Sequence, residues 1–180
     1  MIGLFCFCMS SLTQQVEAQR LRTGILHPPA GRMVGEILEQ STDLHVYRGI
    51  PFAKPPVKEL RWRPPQPLGA WEGVRDCLEN GSQSVQTWKG TAYGNEDCLY
   101  LNVWTNRAGK PNAKLPVMVW IHGGGWTGGN GGRSYYSGTA ISRRGVILVT
   151  VNYRLGAMGF LAHEALAEES KRGISGNYGL

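Results

Sequence analysis

The strongest patterning lies in the second half of the chain. Residues 99–105 alternate between apolar and polar positions, as a half-buried strand does, and residues 117–122 and 146–152 run continuously apolar, as strands covered on both faces do. A glycine-dense loop and a short helix, predicted over 138–143, separate the two apolar runs. After Phe160, the positions of Leu161, Ala165 and Leu166, with Glu168 and Glu169, suit a second short helix. Buried strand, glycine loop, helix, buried strand is the order of an α/β sheet.

The first half is weaker. Short strand candidates at 21–25, 33–38 and 44–47 are separated by turn-rich stretches and predict antiparallel hairpins. Residues 51–67 carry six prolines. Each fixes its own φ and pushes its predecessor toward extended geometry, which predicts an ordered surface crossing. Residues 79–95 are polar and read as a loop. No internal repeat or linker divides the chain. The expected fold is α/β, with small antiparallel strands leading into a mostly parallel central sheet.

With 42% hydrophobic and 18% charged residues, the composition is that of a globular protein rather than a disordered or fibrous one. The net charge of +6 is unevenly spread, with no acid between Cys98 and His163 but Arg107, Lys110, Lys114, Arg133, Arg143, Arg144 and Arg154 within that stretch. These basic residues form no run and no amphipathic stripe, so acidic partners elsewhere in the fold are expected rather than nucleic acid or anionic lipid. Residues 2–12 are apolar but too short to span a membrane. With Val16 and Ala18 placed for cleavage, residues 1–18 read as a signal peptide of a secreted or periplasmic protein, although no Lys or Arg precedes the apolar part. No other stretch reaches transmembrane length.

Cys6 and Cys8 would leave with that segment. Cys77 and Cys98 remain, either as two buried thiols or as a bridge worth about 3 kcal/mol in the chain-entropy model. The four cysteines and four histidines have no zinc-like spacing, so neither metal nor cofactor is expected.

The candidate chemistry sits in the loop after the first apolar run, which reads VMVWIHGGGWTGGNGG over 117–132. Consecutive glycines let backbone N–H groups approach a bound group without hindrance. Neighbouring amides pointing the same way can hold a developing oxyanion, as in the His-Gly-Gly-Gly loop of lipases and esterases. Gly123, Gly125 and Gly128 also satisfy the dinucleotide pattern G-x-G-x-x-G. That reading needs a helix to open at the loop and an acid about 20 residues on. Further glycines at 129, 131 and 132 resist the helix, and no acid occurs before Glu164.

Several motifs occur in order: RGIPFAKPP at 48–56, RWRP at 61–64 with WEGV at 71–74, EDCLYLNVW at 96–104, WIHGGG at 120–125, NYRLGAMGF at 152–160 and GNYGL at 176–180. Through them the chain resembles the type-B carboxylesterase family, which includes the cholinesterases, from about residue 24 onward. The resemblance implies an α/β-hydrolase fold, a small-molecule carboxylic ester as substrate and a Ser–acid–His triad. It places oxyanion donors on the Gly124 and Gly125 amides, gives His122 a structural role, and sets Trp126 either at the pocket wall or in ordinary packing. It implies an ion pair between Arg61 and Glu96, and for Arg154 an acidic partner beyond Leu180. The family's first disulfide cysteine aligns near Ser84 rather than Cys77. Lys58 stands where the family usually has glycine, which reads as a surface variation.

The nucleophile elbow G-x-S-x-G is missing from these 180 residues. Ser175 lies in a near match that fails at Asn177, and Ser134, with Gly132 before it, fails at Tyr136. His163, ahead of any suitable acid, reads as a helix-surface residue. The expectation is the N-terminal portion of a serine esterase, inactive alone, with a poorly soluble open sheet edge. Relatives that lost the serine and serve adhesion or binding are the alternative, and the intact glycine loop leans toward the enzyme. Acyl and alcohol specificity and the oligomeric state are not encoded legibly here.

Overall fold

A computed structural model describes residues 20–110, 112–171 and 173–179; the expected signal segment, with Cys6 and Cys8, lies outside them. Five strands form the main sheet in the order β2 (Glu36–Glu39), β3 (Leu44–Pro51), β7 (Tyr100–Thr105), β9 (Ile147–Val151), β8 (Val117–Ile121). The pairings β2–β3, β3–β7 and β7–β9 are antiparallel, and only β8–β9 is parallel. The sheet is therefore mixed, not mostly parallel. Among the described residues β3, β8 and β9 run one way and β2 and β7 the other, because the earlier strands pair as antiparallel neighbours and only the β8-to-β9 crossover yields a parallel pair.

Successive residues of a strand face opposite sides, and the core divides accordingly. Val46, Trp104 and Leu148 pack with Leu38 and Ile141 on one face. Tyr47, Ile50 and Cys77 pack with Met33, Trp71, Leu101 and Val103 on the other. Ile141 belongs to α1 (Thr139–Ser142), the short helix of the β8-to-β9 crossover.

The single strand expected over 33–38 is two. β1 (Arg32–Val34) pairs in parallel with β4 (Val74–Asp76), and β2 joins the main sheet. The chain breaks at Gly35, where an added Cβ would lie 2.4 Å from the Val46 carbonyl oxygen, so the backbones approach too closely for a side chain. Residues 21–25 make only isolated bridges, Arg22 with Glu36 nearby and Leu26 with Met33 just after. The 79–95 stretch holds a hairpin, β5 (Gln86–Trp88) and β6 (Thr91–Tyr93), turned by Lys89 and Gly90 with φ of 48° and 82°, the left-handed geometry of tight hairpins. The proline segment doubles back, with Lys54 N donating to Gln66 O at 2.9 Å. Two further helices, α2 (Gly156–Phe160) and α3 (Glu164–Glu169), follow β9.

β8 departs most from expectation. All its side chains are between 42% and 60% exposed, though its apolar run reads as doubly buried. It is an edge strand whose outer side has no neighbour among the described residues. Covering one such side chain contributes about 1.5–3 kcal/mol, so this edge lacks a large share of the burial its residues would give. Among the basic residues after Cys98, Lys110 pairs with Asp43 at 2.8 Å, and Arg143 Nε reaches Glu39 at 3.1 Å, so the N-terminal hairpin supplies acidic partners. Among the described residues no helix is long and apolar enough to cross a membrane.

Candidate active site

β8 delivers the chain to His122, which is buried where the strand ends. His122 Nδ1 lies 2.9 Å from Gly123 O. A carbonyl only accepts, so Nδ1 carries the proton. The ring stacks on Tyr153 at 4.5 Å, and the Tyr153 hydroxyl donates to His122 O at 2.9 Å. Burial lowers the imidazole pKa below its ordinary value, keeping the ring neutral.

The loop then folds on one carbonyl. Gly124 O accepts from Thr127 N at 3.1 Å, Gly128 N at 3.2 Å and Thr127 Oγ1 at 3.2 Å. Gly124 has φ of 136°, and a Cβ there would stand 1.8 Å from Gly128 O, so glycine is required. Gly124 and Gly125 are exposed, and among the described residues neither amide donates to a protein acceptor. They belong to a run of exposed amides, 123–126, that make no such donation, while Thr127, Gly128 and Gly129 all donate within the protein.

Trp126 is also left-handed, at φ 61°, held by Gly156 N donating to its carbonyl at 2.7 Å. Its ring is 62% exposed and tilts against Phe160 at 5.9 Å. With Gly125, Gly156, Leu161 and Ala162 these rings line a shallow apolar recess beside the open amides. The descending arm is pinned by side chains: Gly131 N donates to Asn152 Oδ1 at 2.7 Å, and Gln86 engages Gly129 through both its amide atoms. Asn152 and Tyr153 fall within a motif quoted from the sequence. Gln86 lies in a stretch read as loop, where a lone glutamine carries no signal.

Arg61 and Glu96 meet in a half-buried bidentate pair, Nε to Oε2 and Nη2 to Oε1, both 2.6 Å. Glu96 raises the already high pKa of that guanidinium. Beside Arg61, Trp62 Nε1 donates to Ala157 O at 2.9 Å, and Arg63 O accepts from Arg154 Nη1 at 2.9 Å. Three consecutive residues thus tie the proline segment to three separate places. The remaining Arg154 nitrogens, Nε and Nη2, are buried without a hydrogen-bond partner among the described residues, and burial depresses its pKa.

Cys77 and Cys98 are separate buried thiols. They sit in different clusters, Cys77 with Tyr47 and Ile50, Cys98 with Ala53 and Leu99, so no bridge forms. Burial pushes both up to about 11, which makes them unreactive. Ser84 lies against Cys98 and accepts from Leu155 N at 3.0 Å.

No nucleophilic dyad is assembled from the near matches. Among the described residues Ser175 Oγ bonds only the main chain of His163, at 3.0 and 3.1 Å, while the His163 ring caps α3 by accepting from Ala165 N at 3.2 Å. No helix opens within the glycine loop; a single 3-10 turn over Ser134–Tyr136 and then α1 follow it, so the seat a dinucleotide pyrophosphate would need is missing there. Among the described residues no group of three or more His, Cys, Asp or Glu could hold a metal ion.

The model of the carboxylesterase family matches residues 22–180. Over 146 residues the chain is 50% identical to fumonisin B1 esterase of Sphingopyxis macrogoltabida, covering 77% of this chain and 26% of that protein. It is 43% identical over 126 residues to para-nitrobenzyl esterase of Bacillus subtilis, covering 66% of this chain and 25% of that one. Among solved structures it is similar to carboxylesterase EST55 of Geobacillus stearothermophilus, with a TM-score of 0.75 and 38% identity, over 86% of this chain and 31% of that structure. The chain spans about a quarter to a third of the length of these relatives.

Proposed function

This chain belongs to the carboxylesterase family, and from that premise we propose that the complete protein hydrolyses carboxylic esters of small molecules. The Gly124 and Gly125 amides are two donors to the tetrahedral oxyanion. A serine supplied from outside these 180 residues attacks the ester carbonyl, with a third donor following it. The acid and histidine of the triad likewise come from outside.

One observation carries this reading: among the described residues the exposed Gly124 and Gly125 amides have no internal acceptor, while the descending arm of the same loop is held by hydrogen bonds at Gly129 and Gly131. Preorganised donors cost no reorganisation when charge develops, and each contributes about 3 kcal/mol to the transition state. His122 acts as structural support, since its proton is committed to Gly123 O. Trp126 forms a wall of the substrate recess. The two open nitrogens of Arg154 await a carboxylate contributed from beyond Leu180, which would offset the cost of burying that charge.

The test is hydrolysis of p-nitrophenyl esters by the complete protein and by the 180-residue chain. Turnover is expected from the first and not from the second. Turnover by the short chain that is lost on mutating one of its serines would overturn the assignment of the nucleophile. Ester binding without turnover by the complete protein would make it a non-catalytic relative. Export, with cleavage after Ala18, is part of the same proposal, and N-terminal sequencing of exported protein should begin at Gln19.

A further inference from the structure

We propose that Gln86 is the positioning residue of the glycine loop, setting where the Gly124 and Gly125 amides point. This rests on the hydrolase reading above and adds a residue to it. Gln86 is 5% exposed and lies at the start of β5, on a hairpin outside the main sheet. Its side chain grips both backbone groups of one residue. Gly129 N donates to Gln86 Oε1 at 2.8 Å, and Gln86 Nε2 donates to Gly129 O at 3.0 Å.

The remaining capacity of the amide is also filled. Tyr93 OH donates to Oε1 at 3.0 Å, and Nε2 donates to Ser84 O at 3.1 Å. A glutamine amide offers two acceptor lone pairs and two donors, and all four are used. Turning the amide over would set donor against donor at Gly129 N and acceptor against acceptor at Gly129 O. One orientation is therefore enforced, and with it the position of Gly129.

Gly129 transmits that position to the site. Its φ is 112°, and an added Cβ would lie 2.6 Å from His122 Nδ1 and 2.7 Å from Gly123 O. The far arm of the loop is thus packed on the residues that enter it, with no side chain between. His122 is held from the other side by Tyr153. Residues 123–128 run between these two fixed points, with Trp126 O held in addition by Gly156 N, and Gln86 supplies the anchor from the hairpin that lies off the main sheet. A rigid origin for the donors matters because a displacement of about 1 Å at a reacting centre can cost 100-fold in rate.

The experiment compares the complete wild-type protein with Gln86→Ala and with Gln86→Glu, which keeps the shape and the acceptors but removes the donors to Gly129 O and Ser84 O. Amide hydrogen exchange is read over residues 122–132, with residues 100–105 of β7 as the folding control. The expected result is exchange over 122–132 faster by about tenfold or more with β7 unchanged. It is accompanied by kcat lower by about 10- to 100-fold and KM within about twofold, the split expected when transition-state donors are misplaced. Should Gln86→Ala loosen β7 as well, Gln86→Glu decides. Unchanged exchange over 122–132 in Gln86→Glu, or loss expressed in KM alone, overturns the proposal. A wild-type protein without esterase activity would refute the hydrolase reading instead, while the exchange measurement would still judge the hold on Gly129.

Discussion

Tyr153 holds His122 twice, by a hydroxyl-to-carbonyl hydrogen bond of 2.9 Å and by ring stacking at 4.5 Å. Residue 153 follows β9 and residue 122 follows β8, so the parallel pairing of those strands brings the two exits side by side. Tyr153→Phe keeps the stack and leaves a buried carbonyl without its donor. The expected cost is about 1–2 kcal/mol, read from urea unfolding, with faster exchange at 123–125. A cost near zero would mean the hydroxyl is not a support of the loop.

Burial lowers the His122 pKa, so the folded protein resists charging this ring. In the unfolded chain it takes a proton near pH 6.5. Below that pH the unfolded state binds more protons than the native one. Stability is therefore complete above about pH 6.5 and declines as pH falls toward the lowered native value. Burial lowers His45 in the same direction, so the comparison must isolate one ring. The fall in Tm between pH 7.5 and 5.5 should be smaller in His122→Asn than in the wild type.

The Arg61–Glu96 pair joins the proline segment to the turn before β7. Both side chains retain solvent contact, so the pair acts as a clasp rather than a core element. Glu96→Gln and Arg61→Met should each lower Tm, and the double variant should lose less than the sum. Strict additivity in that cycle would show that the two groups are not coupled.

Lys58 has φ of 52°, a left-handed conformation that costs a non-glycine residue about 1–2 kcal/mol. Its side chain is exposed, so nothing in packing repays that strain. Glycine relieves it but gains entropy in the unfolded chain worth roughly 0.4–1 kcal/mol. Lys58→Gly should therefore stabilise the protein by about 0.5–1 kcal/mol in denaturant titration. The substitution that reads as a surface variation in the sequence is a strained backbone position in the fold.

β8 presents an apolar edge that is unpaired among the described residues, the kind of strand that recruits another chain. The 180-residue chain alone should self-associate at micromolar concentration. Val119→Lys, at an exposed position on that edge, should shift the sedimentation profile toward monomer without lowering Tm. Persistent association in that variant would locate the sticky surface elsewhere.

Much of this molecule is written locally. The apolar runs that become β8 and β9, the short helix between them and the glycine loop are contiguous patterns, and contiguous patterns follow from backbone and side-chain preferences near in sequence. The family motifs are equally local, and they carried the expected chemistry. What only the tertiary structure decided are relationships between distant residues. β9 comes to lie between β7 and β8, antiparallel to the first and parallel to the second. Gly35 splits one apparent strand because Val46 of a neighbouring strand crowds it. Cys77 and Cys98 are drawn into separate clusters, and Gln86 reaches Gly129 across 43 residues. Such pairings are settled by where packed strands bring hydrogen-bonding groups within 3 Å of one another, and no periodicity along the chain encodes that.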